Sequence, residues 1–265
     1  MFIVDVMRLK LLRRLYSRMF YVKTESFQTE NPVYQKIPGG DGTFFFAESR
    51  VAKDYATTGL YEKSVIDWTA EVFTDEKKAC IDVGAHMGMY TVALAKKAKH
   101  VYGFECSPKS FNYYCANLAL RDLHYKVTKH NVALSSPIEA TKKTIKYMIR
   151  DPNDGGGNGC SMFEVDQKNG VPSIDVPVRT LDSYELTDIN FIKIDVEGHE
   201  ENVIRGAVKT LEENNYPKIL FESWPERISH VPAKEIRESL FEYIRSLEYR
   251  ILPVNGWDDL FLAER

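Results

Sequence analysis

The chain has 265 residues, of which 44% are hydrophobic, 28% charged and 12% aromatic, and this composition excludes an intrinsically disordered chain. The charge is nearly balanced, with 35 Lys and Arg against 38 Asp and Glu and a net charge of −3. A balanced chain lacks the overall positive field of a dedicated nucleic-acid-binding protein.

The four cysteines, Cys80, Cys106, Cys115 and Cys160, form no motif of a redox or zinc site. No two of them have the Cys-x-x-Cys spacing that zinc knuckles and thioredoxin-like proteins use. We therefore interpret them as reduced cysteines and predict a cytoplasmic protein. No apolar run approaches the roughly 18 residues of a transmembrane helix.

Residues 1–20 have a helical pattern in which apolar side chains recur among five basic residues. Because the basic residues interrupt the apolar run, this segment does not have the core of a secretory signal. The pattern is typical of a basic amphipathic helix that contacts a membrane surface peripherally. The alternative, which we favour, is a docking helix whose basic face is solvated.

Turn residues and short aromatic runs follow in residues 21–50. Asn-Pro and Pro-Gly-Gly turns flank runs such as residues 43–46, which predicts short strands or a hairpin. Residues 60–73 have the apolar periodicity of a helix. We interpret residues 1–54 as an N-terminal extension ahead of a main domain at 55–265.

From residue 77 onward, strand-like and helix-like segments alternate, except that the pattern loosens at 135–175. The strand-like runs are KKACIDVG, HVYGFE, YKVTKHNVAL, IDVPVRTL, NFIKIDVEG and PKILFES. The helical patterns are MYTVALAKKA, PKSFNYYCANLAL, a helix from His199 to about Asn214 and one around 233–247. Such alternation predicts an α/β fold, with a mostly parallel sheet and helices on both faces. The closing YRILPVNGWDDLFLAER predicts two strands joined at Asn255-Gly256, which add an antiparallel strand.

Ligands of such sheets bind beyond the carboxyl ends of the strands, so the residues after each strand carry the functional information. The loop after the first strand is DVGAHMG, in which Gly84 and Gly88 allow a tight turn and a close approach to a ligand. It matches neither G-x-G-x-x-G nor a P-loop. Asp82 at its start favours a ligand that carries a cation.

The next two strand ends supply further polar groups. Glu105 follows 17 residues after Gly88, and a carboxylate at such a distance can accept hydrogen bonds from both hydroxyls of a ribose. The third strand run ends at Asn131, Val132 and Ala133, where an amide and backbone groups could border an adenine.

A later strand run ends in KIDVEGHE, which brings Asp195, Glu197 and His199 to one strand tip. Two carboxylates and a histidine are an unusual concentration of titratable groups. The alternative interpretation is a solvated helix N-terminus, where acidic residues interact favourably with the helix dipole. The polar groups at the other strand ends favour a functional site.

These motifs resemble the FkbM-type family of S-adenosylmethionine-dependent methyltransferases over roughly residues 55–265. The matching segments are IDVGAHMGMYTVALA, YGFECSPKSFNYYCANLAL, NVALS, VRTLDSY, FIKIDVEGHEENVIRGAVKTL and ILFES. The resemblance implies the class I (Rossmann-like) methyltransferase fold, with a seven-stranded sheet and a reversed C-terminal hairpin strand. It also implies S-adenosylmethionine as cofactor and O-methylation of hydroxyls of sugars, glycans or related small molecules.

The resemblance also implies roles for individual residues. The residues that match the cofactor-binding positions are Asp82, Gly84, Ala85, His86, Gly88, Glu105, Cys106, Asn131, Val132, Ala133 and Asp195. His86 stands where the family commonly has asparagine, and Cys106 where proline is usual. Asp195, Glu197 and His199 match the motif that faces the transferred methyl.

Methyl transfer to a hydroxyl is helped by a base, and His199 is the first candidate because a histidine is mostly neutral at pH 7. Asp195 is the second, either as the base or as the group that positions the hydroxyl. The carboxylates of Asp195, Glu197 and Glu222 could instead hold a divalent cation that lowers the hydroxyl pKa.

Two competing functions remain. One is a methyltransferase that acts on RNA or protein. Nucleic-acid methyltransferases that modify amino groups usually have an Asn/Asp-Pro-Pro-aromatic motif, whereas this chain has DVEG at the matching place. The acidic strand tip also disfavours a phosphate backbone. The other is a non-catalytic adapter with the same fold, against which the intact cofactor positions argue.

Overall fold

A computed structural model describes residues 25–28, 33–36, 42–45, 62–149, 159–160, 170–225 and 232–265. The predicted basic helix at 1–20 lies outside these residues, as does the predicted boundary between residues 54 and 55. Within the described part of the chain, no helix is both long and apolar enough to cross a lipid bilayer.

Three short strands come first in the described part of the chain: β1 (Glu25–Gln28), β2 (Val33–Lys36) and β3 (Gly42–Phe45). They form an antiparallel sheet in the order β1-β2-β3. This sheet confirms the short strands that the sequence predicts in residues 21–50. Arg121 donates a hydrogen bond to Thr43 Oγ1 of β3 at 2.6 Å.

Strands and helices then alternate along the chain. The elements up to the small sheet described below are α1 (Lys63–Phe73), β4 (Ala79–Val83), α2 (Met89–Lys97), β5 (His100–Phe104), α3 (Pro108–Ala119), β6 (Val127–His130), β7 (Ala133–Leu134), α4 (Pro137–Ala140), β8 (Thr144–Met148), β9 (Gly159–Cys160) and β10 (Ser173–Arg179). The remaining elements are β11 (Ile189–Ile194), α5 (Glu200–Arg205), α6 (Val208–Glu213), β12 (Lys218–Glu222), α7 (Ala233–Ser246), β13 (Arg250–Pro253) and β14 (Leu260–Glu264).

Seven of these strands form the main sheet, in the order β13-β14-β12-β11-β4-β5-β6. Neighbouring strands from β12 to β6 are parallel, whereas β14 is antiparallel to both β12 and β13. This order, with one reversed strand from the C-terminal hairpin, is that of the class I methyltransferase fold. It confirms the predicted architecture.

Helices cover both faces of the main sheet, which explains why β4 is buried along its whole length. Successive side chains of a strand point to opposite faces. Ile81 and Val83 accordingly pack in one core with residues of α5, α6 and α7, while Cys80 packs in the other core with residues of α1, α2 and α3.

The helix predicted from His199 to about Asn214 is two helices, α5 and α6, so the single-helix prediction was wrong. The chain bends at Gly206, where a Cβ atom would lie 2.0 Å from the carbonyl oxygen of Ser135. Only a residue without a side chain permits this approach, and glycine is also a weak helix former. The break therefore results from packing against a segment distant in sequence.

The run IDVPVRTL forms β10, but this strand lies outside the main sheet. It belongs to a four-stranded sheet in the order β7-β10-β8-β9, which corresponds to the region where the sequence pattern loosens. The prediction that β10 resumes the main alternation was therefore wrong. The strand alternates exposed and buried side chains near its end, as expected of a strand with one solvated face rather than two covered ones.

Candidate active site

The sheet order brings the carboxyl ends of β12, β11, β4, β5 and β6 side by side. The chain leaves β4 toward β5 on one side and β11 toward β12 on the other, so the edge between β4 and β11 is a topological switch point. Ligands bind at such points in open α/β sheets. The residues singled out in the sequence therefore lie along one edge of the main sheet.

The loop after β4, which we call the glycine loop (residues 84–88), is held against its neighbours. Gly84 and Ala85 donate backbone hydrogen bonds to the Phe104 carbonyl at 2.9 and 3.0 Å. Gly84 has φ 77°, and a Cβ there would lie 1.8 Å from the carbonyl oxygen of Asp195. The loop thus requires glycine at this position both for its backbone conformation and for its contact with the chain after β11.

The carboxylate of Glu105 is buried and accepts two backbone hydrogen bonds. His86 N donates to Oε2 and Ser107 N donates to Oε1, each at 2.7 Å. Burial nevertheless raises the pKa of Glu105 to about 7, and these two bonds only partly offset it. The carboxylate therefore links the glycine loop to the turn after β5 and keeps lone pairs that a ligand hydroxyl could use.

Asn131 supports the same turn. Its Nδ2 donates to the carbonyls of Glu105 at 2.7 Å and Cys106 at 3.2 Å, while Val132 and Ala133 are buried. Cys106 is half-buried and packs against the small core of Ala133 and the second sheet. The side-chain amide of Asn131 shapes the end of β5, which sequence reasoning had not anticipated.

Asp82 is completely buried rather than exposed at the mouth of the loop. Thr91 Oγ1 donates a hydrogen bond to its Oδ2, and the Lys193 ammonium lies 3.8 Å from its Oδ1. Burial raises the pKa of Asp82, and the positive charge of Lys193 opposes that rise. Any favourable effect of this carboxylate on a cationic ligand is therefore indirect.

Lys193 is the residue that sequence reasoning missed. Its Nζ lies 3.1 Å from Asp195 Oδ2, in the interior of the site. Burial alone would lower its pKa, but the carboxylates of Asp195 and Asp82 outweigh burial and raise it. The signal in the sequence was a lysine inside the apolar run NFIKI, where a charged residue needs a partner.

Asp195, Glu197 and Glu222 form an acidic cluster, in which one oxygen from each carboxylate lies within 4.8 Å of the others. Trp224 Nε1 donates to Glu197 Oε2 at 3.3 Å. Burial and the nearby charge of Asp195 raise the pKa of Glu222 well above its ordinary value. Burial also acts to raise the pKa of Asp195, but the charge and hydrogen bond of Lys193 and the hydrogen bond with Glu222 together outweigh burial, and the pKa is lowered.

The acidic cluster matches the donor set predicted from the sequence for a divalent cation. Three carboxylate oxygens are hard ligands of the kind that Mg²⁺ and Ca²⁺ prefer. Without a cation, the same arrangement holds with a proton on Glu222, because closely spaced carboxyl groups do not all ionise. The cluster can therefore hold either a cation or a shared proton.

His199 is 2% exposed, and its Nε2 lies 2.8 Å from the hydroxyl oxygen of Ser135. Burial lowers the pKa of the ring to about 4, so the imidazole is neutral around pH 7. The neighbouring Glu200 accepts hydrogen bonds from the backbone N–H groups of Val196 and Gly198. These contacts favour a role for His199 in fixing the chain at the start of α5.

Sequence comparisons relate the chain to known methyltransferases. The family model described as the Methyltransferase FkbM domain matches residues 82–251, more than half of the chain. A curated relative, hexuronic acid methyltransferase AglP of Haloferax volcanii, is 23% identical over 191 residues, which is 72% of each chain.

The chain is also similar to solved structures. Methyltransferase FkbM from Methylobacillus flagellatus KT is 20% identical with a TM-score of 0.49, and the match covers 78% of this chain but only 47% of that one. An O-methyltransferase from Bacillus cereus, solved with SAH, is 13% identical with a TM-score of 0.45, over 81% and 87% of the two chains.

Proposed function

The chain belongs to the FkbM methyltransferase family, and on this premise we propose that it transfers the methyl group of S-adenosylmethionine to a hydroxyl oxygen of a sugar or glycan. The observation that carries the proposal is the Asp195 carboxylate at the end of β11, beside the glycine loop and 3.1 Å from the Lys193 ammonium. The hexuronic acid methyltransferase among the relatives supports a sugar acceptor.

The residues along the sheet edge suit the cofactor. S-adenosylmethionine carries a positive sulfonium and a ribose with two hydroxyls, and the edge supplies buried or half-buried carboxylates. Glu105 would accept the ribose hydroxyls, the glycine loop would contact the methionine portion, and the buried Val132 and Ala133 would border the adenine. A cationic ligand is favoured next to Asp195, whose side chain is 35% exposed.

The reaction requires the protein to align the cofactor with the acceptor and to remove the proton of the acceptor hydroxyl. S-adenosylmethionine supplies an electrophilic methyl group for an in-line displacement. Asp195 would accept a hydrogen bond from the acceptor hydroxyl and take its proton as the methyl group transfers, since its carboxylate is partly accessible at the sheet edge. His199, the first candidate from the sequence, is engaged with Ser135 and would act by supporting the start of α5.

A divalent cation in the acidic cluster is the second way to activate the hydroxyl. Bound between Asp195, Glu197 and Glu222, it would lower the pKa of the hydroxyl without a protein base. The two mechanisms differ in one simple respect, because only the second requires the cation. Turnover that survives extensive dialysis against a chelator would exclude it.

The proposal is tested by binding and by acceptor screening. Isothermal titration with S-adenosylmethionine should show saturable binding to the full chain, and Glu105→Ala should weaken it at least about tenfold. Label transfer from the cofactor to methyl glycosides of neutral hexoses, hexuronates and amino sugars should identify the acceptor. RNA and unfolded protein serve as the competing acceptors.

Each outcome of the screen separates the candidate functions. Transfer only to RNA or protein would contradict the proposed sugar acceptor, but it would support methyltransferase activity. Cofactor binding without transfer to any member of the panel would favour the adapter. Absence of cofactor binding would contradict the proposed reaction altogether.

A further inference from the structure

Lys193 is a buried ammonium group that the proposed mechanism so far names only as the ion-pair partner of Asp195. It is 3% exposed and lies near the carboxyl end of β11, a strand whose other buried side chains are apolar. Burying an ammonium group costs several kcal/mol unless carboxylates compensate it. A lysine held in this way at the switch point is expected to have a function.

The strand register explains which groups Lys193 meets. It pairs with Asp82 across β11 and β4, so the two side chains lie next to each other on one face of the sheet. Asp195 follows two positions later, and side chains two apart in an extended chain point to the same side. The lysine therefore lies between the start of the glycine loop and the acidic cluster.

The Lys193 ammonium contacts both the glycine loop and the acidic cluster. Nζ lies 3.1 Å from Asp195 Oδ2 and 3.8 Å from Asp82 Oδ1, and it donates a hydrogen bond to the Gly84 carbonyl at 3.4 Å. The ring of Tyr90 lies 4.8 Å from Nζ and covers it. One charged atom thus contacts the glycine loop and the carboxylate that the mechanism uses.

We propose that Lys193 is a positioning residue that ties the Asp195 carboxylate to the glycine loop, so that cofactor binding and alignment of the acceptor hydroxyl depend on one ammonium group. The inference rests on the proposed function. Without the lysine, Asp195 would lose its ion pair and its link to the glycine loop, and among the described residues only the hydrogen bond with Glu222 would orient its carboxylate. Displacement of a reacting group by about 1 Å can cost about 10²-fold in rate.

The test compares Lys193→Met with a matched control, Lys218→Met. Lys218 lies on the neighbouring strand β12 with its side chain 48% exposed, and it pairs with Glu264 at 2.9 Å, away from the site. At saturating S-adenosylmethionine, kcat of Lys193→Met on the best sugar of the panel should fall about 10²-fold. The Kd for S-adenosylmethionine should rise by only about tenfold, through the lost contact with the loop. Lys218→Met should change neither.

A purely structural role would not produce this split between kcat and Kd. Ethylammonium added to Lys193→Ala should restore part of the lost kcat, whereas ethanol should not, because the rescue requires the charge. If Lys193→Met fails to fold, the rescue of Lys193→Ala by ethylammonium tests the inference instead. Unchanged kcat in Lys193→Met, or a loss of kcat no larger than that of Lys218→Met, would overturn the inference.

The experiment distinguishes this inference from the proposed function. If the wild-type chain is active and Lys193→Met is fully active too, only the proposed role of Lys193 is contradicted. If the wild-type chain methylates no sugar, the proposed function fails. The role of Lys193 is then tested by cofactor binding alone. Unchanged affinity of Lys193→Met for S-adenosylmethionine would then overturn the inference as well, and an affinity about tenfold weaker would support it.

Discussion

At the scale of single residues, Glu105 is a group that suits ligand binding but lowers the stability of the fold when it ionises. Its pKa in the folded chain is raised by burial from 4.5 to about 7. Ionising it therefore lowers the stability of the fold progressively as the pH rises through this interval. The two backbone bonds to Glu105 offset part of that cost, and hydroxyls of a bound ribose would offset more.

This predicts a pH dependence of cofactor binding. Because the ionised form of Glu105 accepts ribose hydroxyls, affinity for S-adenosylmethionine should rise about tenfold between pH 6 and pH 8, around the pKa of about 7. Glu105→Gln should bind more weakly and should show no such rise. Titration calorimetry at several pH values measures both. An affinity that is flat with pH in the wild-type chain would remove Glu105 from the ribose site.

A second prediction separates the two candidate bases. Asp195→Asn should lower kcat by about 10²-fold or more, because an amide cannot take the proton. His199→Gln should keep kcat within about tenfold, since the ring contacts Ser135 and an amide can replace that hydrogen bond. Steady-state kinetics at saturating cofactor are the measurement.

The pH profile adds an independent check on His199. Burial lowers the pKa of His199 to about 4, so its charge does not change between pH 6 and pH 8. The kcat of the wild-type chain should therefore show no ionisation of His199 in this range. A step near pH 6–7 that His199→Gln abolishes would restore the histidine as the base.

At the scale of elements, the glycine loop depends on its contact with β11. A Cβ at Gly84 would lie 1.8 Å from the carbonyl oxygen of Asp195, at a φ of 77°. Gly170 is a matched control, with φ 67° and no atom within 4 Å of the Cβ position. Both glycines have a positive φ, and they differ in the space around the Cβ position.

The third prediction follows from that pair. Gly170→Ala should cost about 1–2 kcal/mol of unfolding free energy, through backbone strain alone. Gly84→Ala should cost at least about 3 kcal/mol, because the clash with the backbone after β11 adds to the same strain. Urea unfolding measures both values. Equal costs would mean that the loop and β11 separate without difficulty, which would also weaken the proposed role of Lys193.

Sequence patterns predict an element well when its cause is local. The strands β4, β5 and β12 lie within their predicted runs because apolar runs and turn residues specify them directly. The break between α5 and α6 was not predictable, because it depends on the contact between Gly206 and Ser135. The contact between Lys193 and Asp82 was missed for the same reason, since these two residues are adjacent only through strand pairing.

At the scale of the whole molecule, the site is assembled from the ends of five parallel strands that are far apart in the sequence. The edge of the sheet therefore exists only when the sheet is folded, and a ligand that binds there is linked to global unfolding. The strand tips could be placed on one edge from the sequence, because parallel strands end on the same side. Which side chains meet there required the strand order and register.

The last prediction uses this linkage. S-adenosylmethionine at about 100 times its Kd should stabilise the folded chain by about 2.7 kcal/mol. For a domain of this size, the thermal midpoint should rise by about 5–10 °C, as measured by differential scanning calorimetry. ATP is the matched control ligand, because it presents the same adenosine with negative phosphates in place of the sulfonium. The carboxylates along the sheet edge should repel it, so equal stabilisation by ATP would contradict a site selected for a cation.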